Sequence, residues 1–161
     1  MYLKKYFIVL VLLFFSASVF AQSSGSANAL VKISLKKGLK IENLTGDLTF
    51  PETVVTGSAQ NPSSSNIVNF LVTGHKSSNV IVGFSSTLTL TSGTDNLVFT
   101  PTVEKTGEST TYATGSLVSA GSGNSLGANG LLNLWLSGSI AVPADAPAGD
   151  YSGTFQMTVT Y

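Results

Sequence analysis

Apolar and polar residues alternate without a break along residues 151–161. Tyr151, Gly153, Phe155, Met157, Val159 and Tyr161 fall on one face, and Ser152, Thr154, Gln156, Thr158 and Thr160 on the other. A two-residue period places successive side chains on opposite sides of a strand, so this segment predicts a strand with one face on a core and one toward water. Pro143, Pro147 and Gly149 mark the loop that leads into it. Shorter segments of the same kind recur upstream. Residues 67–73 set Val68, Phe70 and Val72 on one face, residues 80–84 set Val80, Val82 and Phe84 together, and residues 87–91 carry Leu88 and Leu90. Residues 97–103 contain Pro101, which cannot donate to a ladder and therefore predicts an edge strand or a bulge. Residues 112–118 carry a weaker pattern, and residues 131–142 read as one long strand or two joined at Ser137-Gly138.

Residues 57–66, with Pro62 and a run of serines, and residues 119–130, rich in glycine, read as surface loops. Many short strands separated by Gly, Asn and Ser turns predict an all-β chain folded as an antiparallel β-sandwich. Composition agrees: only 10% of residues are charged, whereas amphipathic surface helices are built with Glu, Lys and Arg.

The N-terminal part has a different organisation. Lys4 and Lys5 precede an unbroken apolar run at residues 8–15, and small residues lead to Val19-Phe20-Ala21 before Gln22. That order predicts a signal peptide at 1–21. The apolar run is too short to span a bilayer, which takes roughly 20 residues, so the mature chain is expected to have no membrane span. The expected location is periplasmic, cell-surface or extracellular. Residues 22–37 form a small, polar, flexible start followed by a second alternating segment, in which Ala27, Ala29, Val31, Ile33 and Leu35 share one face. After the Lys37-Gly38 step, the sandwich domain is expected to occupy 38–161.

The mature chain keeps six lysines against eight carboxylates and contains neither arginine nor cysteine. A nucleic-acid partner requires a basic surface and is excluded as a class. No cysteine is available for acylation or for a disulfide. His75 is the single histidine, too few for a zinc site, and reads as an exposed turn residue. Gly123-Asn124-Ser125-Leu126-Gly127 matches the spacing of a nucleophile elbow, but no helix pattern follows it and His75 precedes the serine. Glu104 with Glu108, and Asp145 with Asp150, read as solvated turn carboxylates, since calcium wants six to eight oxygens. Lys32, Lys36, Lys37 and Lys40 form either a basic patch or, more simply, edge charges that block stray pairing. No catalytic residue, metal ligand or cofactor is therefore expected. Trp135 is either the covered face of a central strand or an exposed ligand platform for stacking on a sugar.

The ending Gly149-x-Tyr151-x-Gly153-x-Phe155, followed by alternating Val and Thr to Tyr161, occurs here with Leu39-x-Ile41, Asp47-Leu48-Thr49-Phe50 and Phe70-x-Val72-x-Gly74. Taken in this order, these motifs resemble a family of secreted bacterial proteins known as domain of unknown function 4402. The ending and the Asp-Leu-x-Phe segment are also similar to spore coat protein U and the archaic chaperone–usher pilins. That resemblance implies an incomplete immunoglobulin-like sandwich completed by a neighbour's N-terminal strand. It implies Ala27, Ala29, Val31, Ile33 and Leu35 as the donor face, and an acceptor edge carrying Tyr151, Phe155, Met157, Val159 and Tyr161. The implied partners are copies of the chain or related subunits, with a periplasmic chaperone. The expected role is thus structural or adhesive and not enzymatic; the alternative is a stand-alone binding module, for example for carbohydrate.

Overall fold

The structure, a computed structural model, describes residues 30, 32, 33, 35 and 37–161. The chain divides into two compact units, Met1–Leu35 and Lys36–Tyr161. Of the first unit only Leu30, Lys32, Ile33 and Leu35 are described, and all four are exposed.

The second unit is all-β, with no helix among the described residues. Its strands are β1 Lys40–Asn43, β2 Val68–Thr73, β3 Asn79–Phe84, β4 Leu88–Ser92, β5 Asp95–Gly107, β6 Ser116–Leu117, β7 Ser122–Ser125, β8 Leu131–Ala141 and β9 Met157–Thr160. Every pairing is antiparallel. The larger sheet runs β1-β2-β8-β5-β4, with β6 also on β5; the smaller runs β7-β3-β9. The two sheets form a β-sandwich whose core is supplied by the inward halves of their alternating strands. Val68, Val72, Leu132, Leu134 and Leu136 come from the larger sheet, and Val80, Val82 and Met157 from the smaller. A buried Val or Leu contributes about 1.5–3 kcal/mol.

The strand centres lie where the alternation puts them, and the departures have local causes. Residues 131–141 are one strand, continuous through Gly138. A Cβ at Gly138 would lie 2.3 Å from the Thr100 carbonyl oxygen and 2.4 Å from the Phe99 ring, so glycine there permits β5 and β8 to stay paired. The segment with Pro101 is part of a long strand inside the sheet and not an outer one. Pro101 is tolerated because it pairs only with Gly138 of β8, in the gap left between β4 and β6. The glycine-rich stretch 119–130 is not all loop: residues 122–125 form β7, paired to β3 from Asn79↔Ser125 to Val82↔Ser122. Cross-strand pairing there overrides the poor strand propensity of Gly and Asn. Residues 112–118 yield only the short β6.

The C-terminal alternation is paired at its two ends. Met157–Thr160 lies on β3, and Ser152 bridges to Thr91 of β4. Between them, residues 153–156 make no backbone hydrogen bond among the described residues. Gly153 sits close against β4, where a Cβ would stand 2.9 Å from the Thr89 carbonyl oxygen.

Candidate functional site

The outer strand of the larger sheet, β1, and the outer strand of the smaller sheet, β9, approach within 8 Å between Cα atoms. No ladder joins them among the described residues. Gly38, just before β1, meets Tyr161, just after β9. Phe70, paired with Asn43 at the far end of β1, meets Phe155, just ahead of β9. The two edges therefore run antiparallel along one side of the sandwich.

Half-buried apolar side chains line this seam: Leu39 and Ile41 of the β1 segment, Phe70 of β2, and Phe155 and Val159 of the C-terminal segment. The Phe155 ring stands 6.4 Å from that of Phe70 and 6.0 Å from that of Phe84. One end is closed by the Tyr161 hydroxyl, which accepts from the His75 N–H at 2.7 Å and donates to the Gly38 carbonyl at 2.8 Å. The Lys37 ammonium lies 5.6 Å from the centre of the same ring. Gly74 leaves room for this arrangement. A Cβ there would fall 2.7 Å from Leu126 Cδ1, 2.8 Å from the Tyr161 hydroxyl and 2.9 Å from Leu39 Cδ1.

Comparison with known families places most of this architecture in one match. The family described as "Domain of unknown function (DUF4402)" matches residues 43–161. The chain belongs to the DUF4402 family. No match was found among curated proteins. The DUF4402 match contains β2 to β9 and the segment that ends at Tyr161.

Of the donor-face residues expected from the sequence, Ala27, Ala29 and Val31 lie outside the described residues, while Ile33 and Leu35 are 80% and 85% exposed. Of the acceptor-edge residues, Tyr151, Phe155 and Val159 are half-buried against the core, Met157 is buried, and Tyr161 forms the closure described above. The Tyr151 hydroxyl donates to the Pro147 carbonyl at 2.9 Å. Desolvation, with the nearby Asp95 charge, raises its pKa.

Trp135 points to the outer face of the larger sheet but is only 7% exposed. Its indole N–H donates to Thr106 Oγ1 at 2.8 Å, and the Tyr112 ring covers it at 5.4 Å between centroids. Tyr112, 39% exposed, belongs to the connection between β5 and β6 and donates its hydroxyl hydrogen to Glu104. That bond to the carboxylate, followed by desolvation and the carboxylate's charge, raises the Tyr112 pKa above its ordinary 10.0. Beneath lies a buried amide pair, with Asn69 Nδ2 donating to Asn133 Oδ1 at 3.2 Å and Asn133 Nδ2 to the Gly107 carbonyl at 3.2 Å. At 7% exposure, with the Tyr112 ring packed on it at 59° between ring planes, Trp135 presents almost no open face to a sugar.

The other sequence candidates are dispersed. Ser125 ends the edge strand β7 and donates to Asn79 Oδ1 at 2.7 Å, so it does not sit on a strand-to-helix turn. His75 is exposed, its Nδ1 lying 3.1 Å from both the Lys76 carbonyl oxygen and Ser78 Oγ. Glu104 is engaged by Tyr112 and Glu108 by Asn129. Asp145 and Asp150 are exposed. Lys40 pairs with Glu42 on β1. Among the described residues, no group of carboxylates and histidine is placed to hold a metal, and no helix is long and apolar enough to cross a membrane.

Sequence patterning missed two features. Gly74 is the space-maker for the Tyr161 closure, and Lys105 faces inward at the opposite side of the sandwich. The second had a signal: it continues the inward positions Leu97, Phe99, Pro101 and Val103 of β5.

Proposed function

We propose that the protein is an exported structural or adhesive subunit, pilin-like in that copies join by β-strand donation. The donated strand is the alternating segment 27–35 of one copy, and the acceptor is the β1/β9 seam of the next. The observation that carries this reading is the seam itself. Two strand edges face each other without a ladder among the described residues, above a floor of half-buried apolar side chains. The edges come within 8 Å between Cα atoms, less than the roughly 9.5–10 Å that two strand spacings require. Donation therefore opens the seam and releases the Tyr161–Gly38 bond; the entering strand then runs antiparallel to one edge and parallel to the other. Ile33 and Leu35 are now 80% and 85% exposed, and each would gain about 1.5–3 kcal/mol on full burial. A periplasmic chaperone would serve by occupying the seam until another copy replaces it.

Strand-donated assemblies dissociate slowly, because leaving requires a whole ladder to open. Surface and culture fractions run on a denaturing gel without boiling should show a ladder of oligomers that collapses to one band on heating. Deleting residues 22–35 should abolish the ladder while leaving a folded monomer. An unchanged ladder in the deletion variant would sink the proposal, as would a single monomer band in unboiled wild-type samples.

A further inference from the structure

The side of the sandwich opposite the β1/β9 seam holds a lysine where the strand pattern calls for an apolar residue. On β5, Leu97, Phe99 and Val103 face the core, and Lys105 follows on the same face, across from Leu134 of β8. Its ammonium crosses between the sheets and donates to Asn124 Oδ1 of β7 at 2.8 Å. Asn124 is 5% exposed. Its amide nitrogen lies 3.1 Å from the Ser122 carbonyl oxygen and 3.3 Å from Ser122 Oγ, which fixes the orientation of Oδ1. Removing an ammonium from bulk water is costly unless it gains partners. A lysine has three N–H donors, and Asn124 takes one of them.

The neighbouring acids do not supply the missing charge. Glu104 points to the outer face, where it accepts from Tyr112, and Glu108 is held by Asn129. The single ion pair among the described residues, Lys40 with Glu42, is elsewhere. Around Lys105 and Asn124 lies a shallow, solvent-open depression of about 470 Å³. Thr114 and Ser116 supply hydroxyls to its rim, Thr106 and Ser125 are engaged by Trp135 and Asn79, and Leu132, 1% exposed, lies beneath its floor. Gly107 and Gly123, also in the lining, have nothing within 4 Å of where a Cβ would stand, so both leave the mouth open.

We propose that this depression binds an acidic sugar. The Lys105 ammonium takes the carboxylate, and the Thr114 and Ser116 hydroxyls exchange hydrogen bonds with the sugar hydroxyls. Asn124 is a positioning residue that holds the ammonium at the mouth. This site does not rest on strand donation and stands whether or not the protein polymerises.

The test is a titration of the ¹⁵N-labelled protein with D-glucuronate, D-galacturonate, D-glucose and inorganic phosphate, read by amide chemical shifts. At least one uronate should move amides at residues 105–107, 114–116 and 123–125, with glucose inert at the same concentration and phosphate at least ten-fold weaker. Lys105→Met should weaken uronate binding at least ten-fold with the rest of the spectrum unchanged. If that variant does not fold, Lys105→Gln, which keeps a polar partner for Asn124, makes the same comparison. The proposal is overturned by an absence of shifts with both uronates, by shifts that survive loss of the lysine charge, or by phosphate matching the uronates, which would make the depression a generic anion site.

Discussion

Along one side of the sandwich, where β1 faces β9, the gap between the sheets is floored by Ile41, Phe70, Phe155 and Val159 and closed at one end by the Tyr161 hydroxyl. Along the other, where β5 and β6 face β7, Lys105 reaches across to Asn124 in a shallow depression rimmed by serine and threonine. Both sides expose strand edges, yet their side chains ask for different company. An apolar floor is satisfied by the apolar face of an added strand. A charge set inward at an edge discourages strand addition, one of the ways sheets guard their margins. On the proposed reading, the contrast gives the molecule one side for joining and one for a small acidic ligand.

Four substitutions break or sharpen that contrast, and the largest effect is expected on the apolar side. Phe155→Ala removes the ring that bridges Phe70 and Phe84 and should cost about 2–3 kcal/mol in urea unfolding, less than a fully buried phenylalanine because the site is half-exposed. The same variant should lose the oligomer ladder. Gly74→Ala places a methyl against Leu126, Leu39 and Tyr161 and should cost about 2 kcal/mol by overpacking, with faster amide exchange at residues 38–41. Tyr161→Phe keeps the ring and deletes both hydroxyl bonds, a loss of about 1 kcal/mol. If its exchange at Gly38 and His75 matched wild type, the closure would have no mechanical role. Lys105→Met on the polar side should change stability by only about 0.5 kcal/mol, since it exchanges one hydrogen bond for the removal of a half-buried charge. Its oligomer ladder should be intact.

A pH titration extends the comparison to the outer face at smaller amplitude. The Tyr112 pKa is raised by its bond to Glu104, so folding is favoured by this pair below the ordinary tyrosine pKa of 10.0. The contribution is lost as pH rises through the higher folded value. Trp135 is the only tryptophan, and its fluorescence should change in that upper range when ionised Tyr112 leaves the Glu104 carboxylate. Tyr112→Phe should abolish the transition.

How much of this was readable in the sequence depended on whether one strand or a pair of strands carried the signal. β2, β3, β4 and β8 announce themselves because each keeps its own alternation, as in Val68, Phe70 and Val72 or Leu132, Leu134 and Leu136. β7 does not, because Ser122-Gly123-Asn124-Ser125 becomes a strand only through its ladder to β3. Pro101 argues for an edge, and it takes the arrangement of β4 and β6 to show that a strand inside the sheet can contain a locally unpaired stretch. The acceptor-edge residues were legible as one apolar face, but their confrontation with β1 was not, because nothing local encodes which edge meets which. Lys105 continues the inward parity of Leu97, Phe99 and Val103, yet that signal alone did not decide its side. A lysine reads as surface until the register of β5 against β8 turns it inward.

The most direct test of the account adds a peptide spanning residues 22–35 to a chain beginning at Lys36 and follows hydrogen exchange residue by residue. Strand donation predicts a one-to-one complex that slows exchange at residues 39–43 and 153–161 and leaves β7 unchanged. Protection at β7, or a peptide that fails to bind a folded chain, would contradict the assignment of the apolar side as the joining surface.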